Sequence, residues 1–258
     1  MDRLPLILST FCFLLGFVAT VRALKMGRFR PHRFNLAAMG AGFLFQTVFL
    51  YQRGVSLGHC PLTNLFEGLI FVSWSITFFY LVIGRAYRLS LLGAFTEPLV
   101  FLIQMAALFG PSDTHHQLLS NRWVEMHAAF SLMAYGAFAL AGVAGLMFLF
   151  QERQLKTRRL GAIFFQMPAM IDLFEANRRL LWAGFMLLSI GLAAATRIPV
   201  HPAPAALIWG GAMWVVYLGL LLARRVGPHR LAWLSMAAIC SSAVALCAFN
   251  HFSQGAAL

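Results

Sequence analysis

The chain has 258 residues, of which 60% are hydrophobic and only 11% charged, with a mean hydropathy of +0.77. A soluble domain is about 45–50% apolar and about 25% charged, so a water-soluble globule, a disordered chain and a small disulfide scaffold with its dense cysteines are all excluded. The composition instead predicts an all-α, polytopic bundle of transmembrane helices forming one domain over 1–258. The net charge of +12 sits in short runs between apolar segments, which makes it a determinant of topology and not a nucleic-acid surface.

Eight stretches approach the roughly 20 apolar residues that a bilayer-crossing helix requires: 4–24, 34–51, 63–83, 91–109, 124–150, 180–196, 204–223 and 231–250. The first does not read as a convincing cleavable leader, because its basic cluster, Lys25 to Arg33, follows the apolar run. The loops at 22–33, 84–88, 151–159 with Arg178 and Arg179, and 223–230 hold nearly all the Lys and Arg. Only Arg3, Arg53, Arg122 and Arg197 fall in the alternate loops. This alternation predicts an inner-membrane protein with both termini on the extracytoplasmic side. The one long connection contains IFFQMPAMIDLF, broken by Pro168, and its apolar character predicts a cytoplasmic interfacial segment over 155–176.

Six of the eight histidines, His59, His115, His116, His127, His201 and His251, map to the outer loops or outer helix ends. His32 and His229 lie in basic loops and read as solvated. His115 and His116 read as exposed loop residues, and His201, between prolines, reads as exposed or structural. His127 lies about one turn inside the fifth span, where an ionisable group needs a partner. His251 closes the eighth span at the same level. Two neutral imidazoles at equal depth on different helices have the arrangement of axial haem ligands, set against a merely structural role for each. Zinc finds no HExxH or i, i+4 histidine pair here. No CxxCH occurs, so the chain carries no c-type haem of its own.

Cys12, Cys240 and Cys247 read as packing residues within spans. Cys60, beside His59, is a candidate redox thiol or a partner for Cys247. Glu67, one turn into the third span, is either functional or a helix-start acid favoured by the dipole and by Asn64. Glu97, before Pro98, is either functional or a neutral acid at a proline kink.

Four blocks, in order over 58–251, resemble one family. GHCPLTNLFEGLIFVSW at 58–74 is similar to the HFPLSNLYESLxFLSW motif of the CcsA/ResC cytochrome c assembly family. WVEMHAAFSLMAYGAFALAGVAGLMFLFQE at 123–152 resembles its MHVxxxxxSYxxL helix. MPAMIDLFEANRRLLWAGFMLLSIGLAAA at 167–195 resembles the segment that follows, and LCAFNHFSQG resembles the closing GLHSYG.

The resemblance implies a protein that holds haem, b-type and transiently bound, at the outer face for attachment to apocytochrome c. It assigns His127 and His251 as haem-iron ligands and His59, Asn64 and Glu67 to the outer-loop motif. Arg122, with Arg53 and Arg197 as alternatives, becomes a propionate partner. Any catalysis would be that of a haem–cytochrome c synthase working with a second membrane subunit.

Two features depart from the family. The tryptophan-rich WGxxWxWDPKE motif is replaced by TRIPVHPAPAA at 196–206, where His201 is the one polar group that could stand in. The intramembrane histidine of the next span is absent near Tyr217 and Gly219. This shortened pattern is similar to the HemX-like branch, which implies regulation of haem synthesis as the alternative. A transporter using Glu67 and Glu97 is a third reading, unsupported by any repeat or P-loop.

Overall fold

The computed structural model describes residues 3–26, 32–62, 64–86, 90–110, 121–158, 167–198, 204–222, 227–237 and 239–240. All the regular structure in them is helical. The helices are α1 (Leu4–Lys25), α2 (His32–Leu57), α3 (Leu65–Ala86), α4 (Ser90–Phe109), α5 (Arg122–Lys156), α6 (Met170–Ala195) and α7 (Pro204–Leu222). A further helix, α8, covers 228–237. Six helices, α1 to α6, are long and apolar enough to cross a membrane, and the described apolar run of α7 is Gly210–Gly219. The protein is a multi-pass membrane protein. Of the eighth expected span, residues 241–250 lie outside the described residues.

The helices form two groups joined through α3 and α4. α1 packs on α2 and α4, α3 packs on α4 and α2, and α5 packs on α3, α4 and, most extensively, on α6. α5 is the central helix, buried from Ser131 through Gly145 with few interruptions. That stretch is mostly Ala and Gly, and small residues let neighbouring backbones approach closely where lipid offers no hydrophobic drive. Polar bonds cross the contacts: Ser75 Oγ donates to the Met133 carbonyl at 3.0 Å, and Gln104 bonds Thr10 and Ser9. Leu4, Ile7, Phe11 and Leu15 lie exposed on α1, the lipid-facing surface of a bundle whose backbone is satisfied internally.

Three helices exceed their expected spans, α2 by running on to Leu57. α5 runs 35 residues, about 52 Å at 1.5 Å per residue, against a hydrocarbon core of about 30 Å. It ends where Thr157 Oγ1 bonds the Arg153 carbonyl and Arg158 takes φ 54°. α6 begins at Met170, not near 180. Residues 170–176, expected in an interfacial segment, are its first two turns. The physical reason is a stripe at Leu173, Ala176, Asn177, Leu180, Leu181 and Gly184, buried at helical spacing. Asp172, Glu175, Arg178 and Arg179 dilute the hydropathy there without interrupting the buried face.

Contacts define two ends. Arg3 lies over the Phe66 ring, Arg53 pairs with Glu67, and His127 bonds the Gly191 carbonyl. The starts of α1, α3 and α5 and the ends of α2 and α6 therefore share the Arg-poor end. At the basic end, His229 of α8 meets Glu152 of α5, and Gln151 Nε2 donates to the Pro168 carbonyl.

Candidate functional site at the Arg-poor end

The loop between α2 and α3 is built locally. Gly58 reverses the chain at φ +73°, a left-handed conformation that glycine adopts without Cβ strain. The His59 ring is tied at Nδ1 to the Cys60 carbonyl, 3.1 Å away, and Leu62 N–H donates to the same carbonyl at 2.9 Å. Asn64 then caps α3, its Oδ1 accepting the Glu67 N–H at 2.8 Å. This satisfies one of the amides that a helix start leaves without a partner.

The Glu67 carboxylate turns to Arg53 near the end of α2. Arg53 Nε lies 2.9 Å from Glu67 Oε1, with the two side chains 11% and 0% exposed. The pair locks α2 to α3 on either side of the loop, so Arg53 already has an anionic partner. Cys60 carries a free thiol in this loop. Burial pushes that thiol above its ordinary value, and the negative charges of Glu125 and Glu67 push it the same way. The Glu125 effect also sets the loop beside the first turn of α5.

α5 begins under an asparagine cap, with Trp123 N–H donating to Asn121 Oδ1 at 3.0 Å. Arg122 and Trp123 are exposed there. One turn further in, half-buried His127 points at α6, its Nδ1 2.8 Å from the Gly191 carbonyl oxygen. A carbonyl oxygen only accepts, so Nδ1 carries the proton, and the lone pair of the imidazole form is on Nε2. A metal-binding histidine characteristically shows this arrangement, with one ring nitrogen anchored to a carbonyl and the other available. The chemistry of this donor therefore fits an iron porphyrin.

Gly191 makes the bond possible. A Cβ at that position would lie 2.9 Å from Ser131 Oγ, 3.3 Å from Ser131 N and 3.4 Å from the His127 carbonyl oxygen. The sequence reading did not single out Gly191. The available signal was its spacing of seven from Gly184, which puts both on the α6 face that meets α5.

Of the expected site residues, His59, Asn64, Glu67, Arg122 and His127 come to the same end of the bundle. His251 and His201, together with His115, His116 and Cys247, lie outside the described residues. Among the described residues no three His, Cys, Asp or Glu converge as a metal cluster.

Comparison with known proteins adds to this geometry. The family model described as cytochrome c assembly protein matches residues 62–194. The chain is 29% identical over 160 residues to a cytochrome c biogenesis protein CcsA of Mesostigma viride, covering 52% of each. It is 28% identical over 152 residues to Protein HemX of Brevibacillus brevis, covering 57% of this chain and 56% of that one. It is 35% identical over 124 residues to a CcsA of Phalaenopsis aphrodite, covering 45% of this chain and 39% of that one. The chain thus spans about half the length of such relatives, or less. The family match contains Asn64, Glu67, His127 and Gly191 and takes in more than half of the chain; the chain belongs to the cytochrome c assembly protein family.

Proposed function

We propose that the protein is a haem-handling component of cytochrome c maturation in the inner membrane, holding haem at the extracytoplasmic face for attachment to apocytochrome c. The observation that carries this reading is the bond from His127 Nδ1 to the Gly191 carbonyl, which leaves Nε2 as a ligand nitrogen near a helix end. Family membership and the CcsA names of relatives support the same assignment. His251 supplies the second imidazole. Exposed Arg122 takes a propionate by a charge-assisted bond. His59, held by the loop that Asn64 and Glu67 brace, lines the approach, and His201 adds a polar group. The haem is b-type and passing cargo, delivered to the apocytochrome with a second membrane subunit as partner.

Absorption spectroscopy of the detergent-purified protein tests this. Wild type should show a Soret band that the His127→Ala/His251→Ala double variant loses. Equal Soret bands in both would refute ligation by this pair.

A HemX-like role in adjusting haem synthesis is the second reading. It is favoured by the absence of tryptophan from 196–206 and by the match to Protein HemX over 57% of this chain. A deletion strain with normal c-type cytochromes and altered porphyrin levels would select it.

A further inference from the structure

The haem site leaves unused a buried acid in the other half of the bundle. Glu97 of α4 is fully buried. Its Oε2 accepts from Thr20 Oγ1 of α1 at 3.3 Å, and Thr20 Oγ1 in turn accepts from Asn35 Nδ2 of α2 at 2.7 Å. Among the described residues, Glu97 Oε1 has no hydrogen-bond partner. It faces Gly16, where a Cβ would lie 2.5 Å from it.

No described Lys, Arg or His pairs with this carboxyl. α1 presents Thr20 and Gly16, and α2 presents Asn35 and Ala38, all neutral. α3 presents Tyr80, within electrostatic reach of Glu97 and packed with its hydroxyl against Gly93. Glu67 is equally buried yet has Arg53.

An uncompensated carboxylate inside the hydrocarbon layer is strongly unfavourable, so Glu97 must be neutralised by a proton or by a bound cation. Among the described residues, the oxygens gathered at the carboxyl are its own two, the Thr20 hydroxyl and, 3.0 Å beyond that hydroxyl, Asn35 Oδ1, with Asn35 Nδ2 2.7 Å from the same hydroxyl. Hard metal cations take about six or more oxygen ligands. A proton needs one acceptor.

The basic end is the nearer one: Asn35 is one turn from the start of α2 and Glu97 two turns from the start of α4. Toward the Arg-poor end follow Phe13, Met39 and Val100, all fully buried.

We propose that Glu97 is a proton-binding site, a neutral carboxylic acid in the α1–α2–α4 interface that exchanges its proton with the basic end of the bundle. The test uses wild-type protein in its own membranes and a hydrophobic carbodiimide, which modifies protonated carboxyls, with peptide mass spectrometry as the readout. Glu67 serves as the internal reference. At neutral pH, modification of Glu97 should clearly exceed that of Glu67, which Arg53 pairs. It should fall at alkaline pH and be indifferent to added sodium or potassium at constant ionic strength. In sealed vesicles with a buffered lumen, the external pH should govern it only when the basic end faces the medium. Modification no greater than that of Glu67, protection by sodium or potassium, or control from the Arg-poor side would each overturn the proposal.

Discussion

Replacing Gly191 by alanine probes the histidine anchor without touching the histidine. The new methyl would meet Ser131 Oγ at 2.9 Å, Ser131 N at 3.3 Å and the His127 carbonyl oxygen at 3.4 Å. Two of these three atoms are α5 backbone and cannot rotate away, so α6 must withdraw by a few tenths of an ångström. The 2.8 Å bond from His127 Nδ1 lengthens with that shift. Overpacking a tight contact is worth roughly 1–3 kcal/mol, and a lost hydrogen bond adds about 0.5–1.5 kcal/mol. Loss of the carbonyl that orients a ligand imidazole typically lowers metal affinity about 10–100-fold. The assay is haem titration of purified wild type and variant, followed by Soret absorption, with thermal unfolding of the haem-free proteins alongside. Ser131→Ala removes the nearest of the three atoms, a buried hydroxyl with no hydrogen-bond partner among the described residues. Combined with Gly191→Ala, it should recover part of the stability. Wild-type haem affinity in Gly191→Ala, with unfolding unchanged, would refute the claim that this carbonyl sets the ring.

The Arg53–Glu67 pair, exposed 11% and 0%, gives a further expectation. Glu67→Gln takes the carboxylate away from a buried guanidinium and should destabilise by about 3–5 kcal/mol, whereas Arg53→Met/Glu67→Gln should recover most of that in detergent unfolding. Cys60 should alkylate slowly near neutral pH, because burial and the charges of Glu125 and Glu67 hold its thiol up. Removing one of those charges by Glu125→Gln favours the thiolate, so the midpoint of the alkylation rate against pH moves down; an unmoved or higher midpoint contradicts this placement of the loop. On α1, Gly16→Ala puts a methyl 2.5 Å from Glu97 Oε1, 2.9 Å from its Cδ and 3.2 Å from the Ala38 Cβ, and overpacking of about 1–3 kcal/mol should follow. On α2, a Cβ at Gly40 would meet nothing within 4 Å, and Gly40→Ala should stabilise by up to about 1 kcal/mol through helix propensity alone. Equal melting shifts for the two would deny the close approach of Glu97 to α1.

What the sequence reveals depends on how local the cause is. The helices of α1 to α4 are legible because an apolar run of bilayer length has few other solutions. The cap on α3 is legible in Asn64 and Glu67, three residues apart, since the spacing itself creates the bond from the Glu67 amide. The start of α6 was not, because its first turns mix four charges with a buried stripe whose partner, α5, no hydropathy window contains. The anchor of His127 was not, because Gly191 is 64 residues away and advertises itself only as one small residue among many. Of the two histidines expected as a haem pair, His127 is bonded to the Gly191 carbonyl, and His251 lies outside the described residues.

Glu67 and Glu97 show most directly why residue type and depth do not decide a role in this fold. Both are acids in apolar helices and both are fully buried, Glu67 in the first turn of α3 and Glu97 two turns into α4. Glu67 is reached by an arginine from the preceding helix, because a short loop returns the chain within fourteen residues. Its charge is thereby neutralised and its task becomes bracing the histidine loop. Glu97 is met by the Thr20 hydroxyl of α1, itself bonded to the Asn35 amide of α2, and neither group cancels a charge. The membrane then requires a neutral acid at one site and tolerates an ionised one at the other. The difference arises from loop length and helix order, which bring a guanidinium to the Arg-poor end and only neutral groups to the α1–α2–α4 interface.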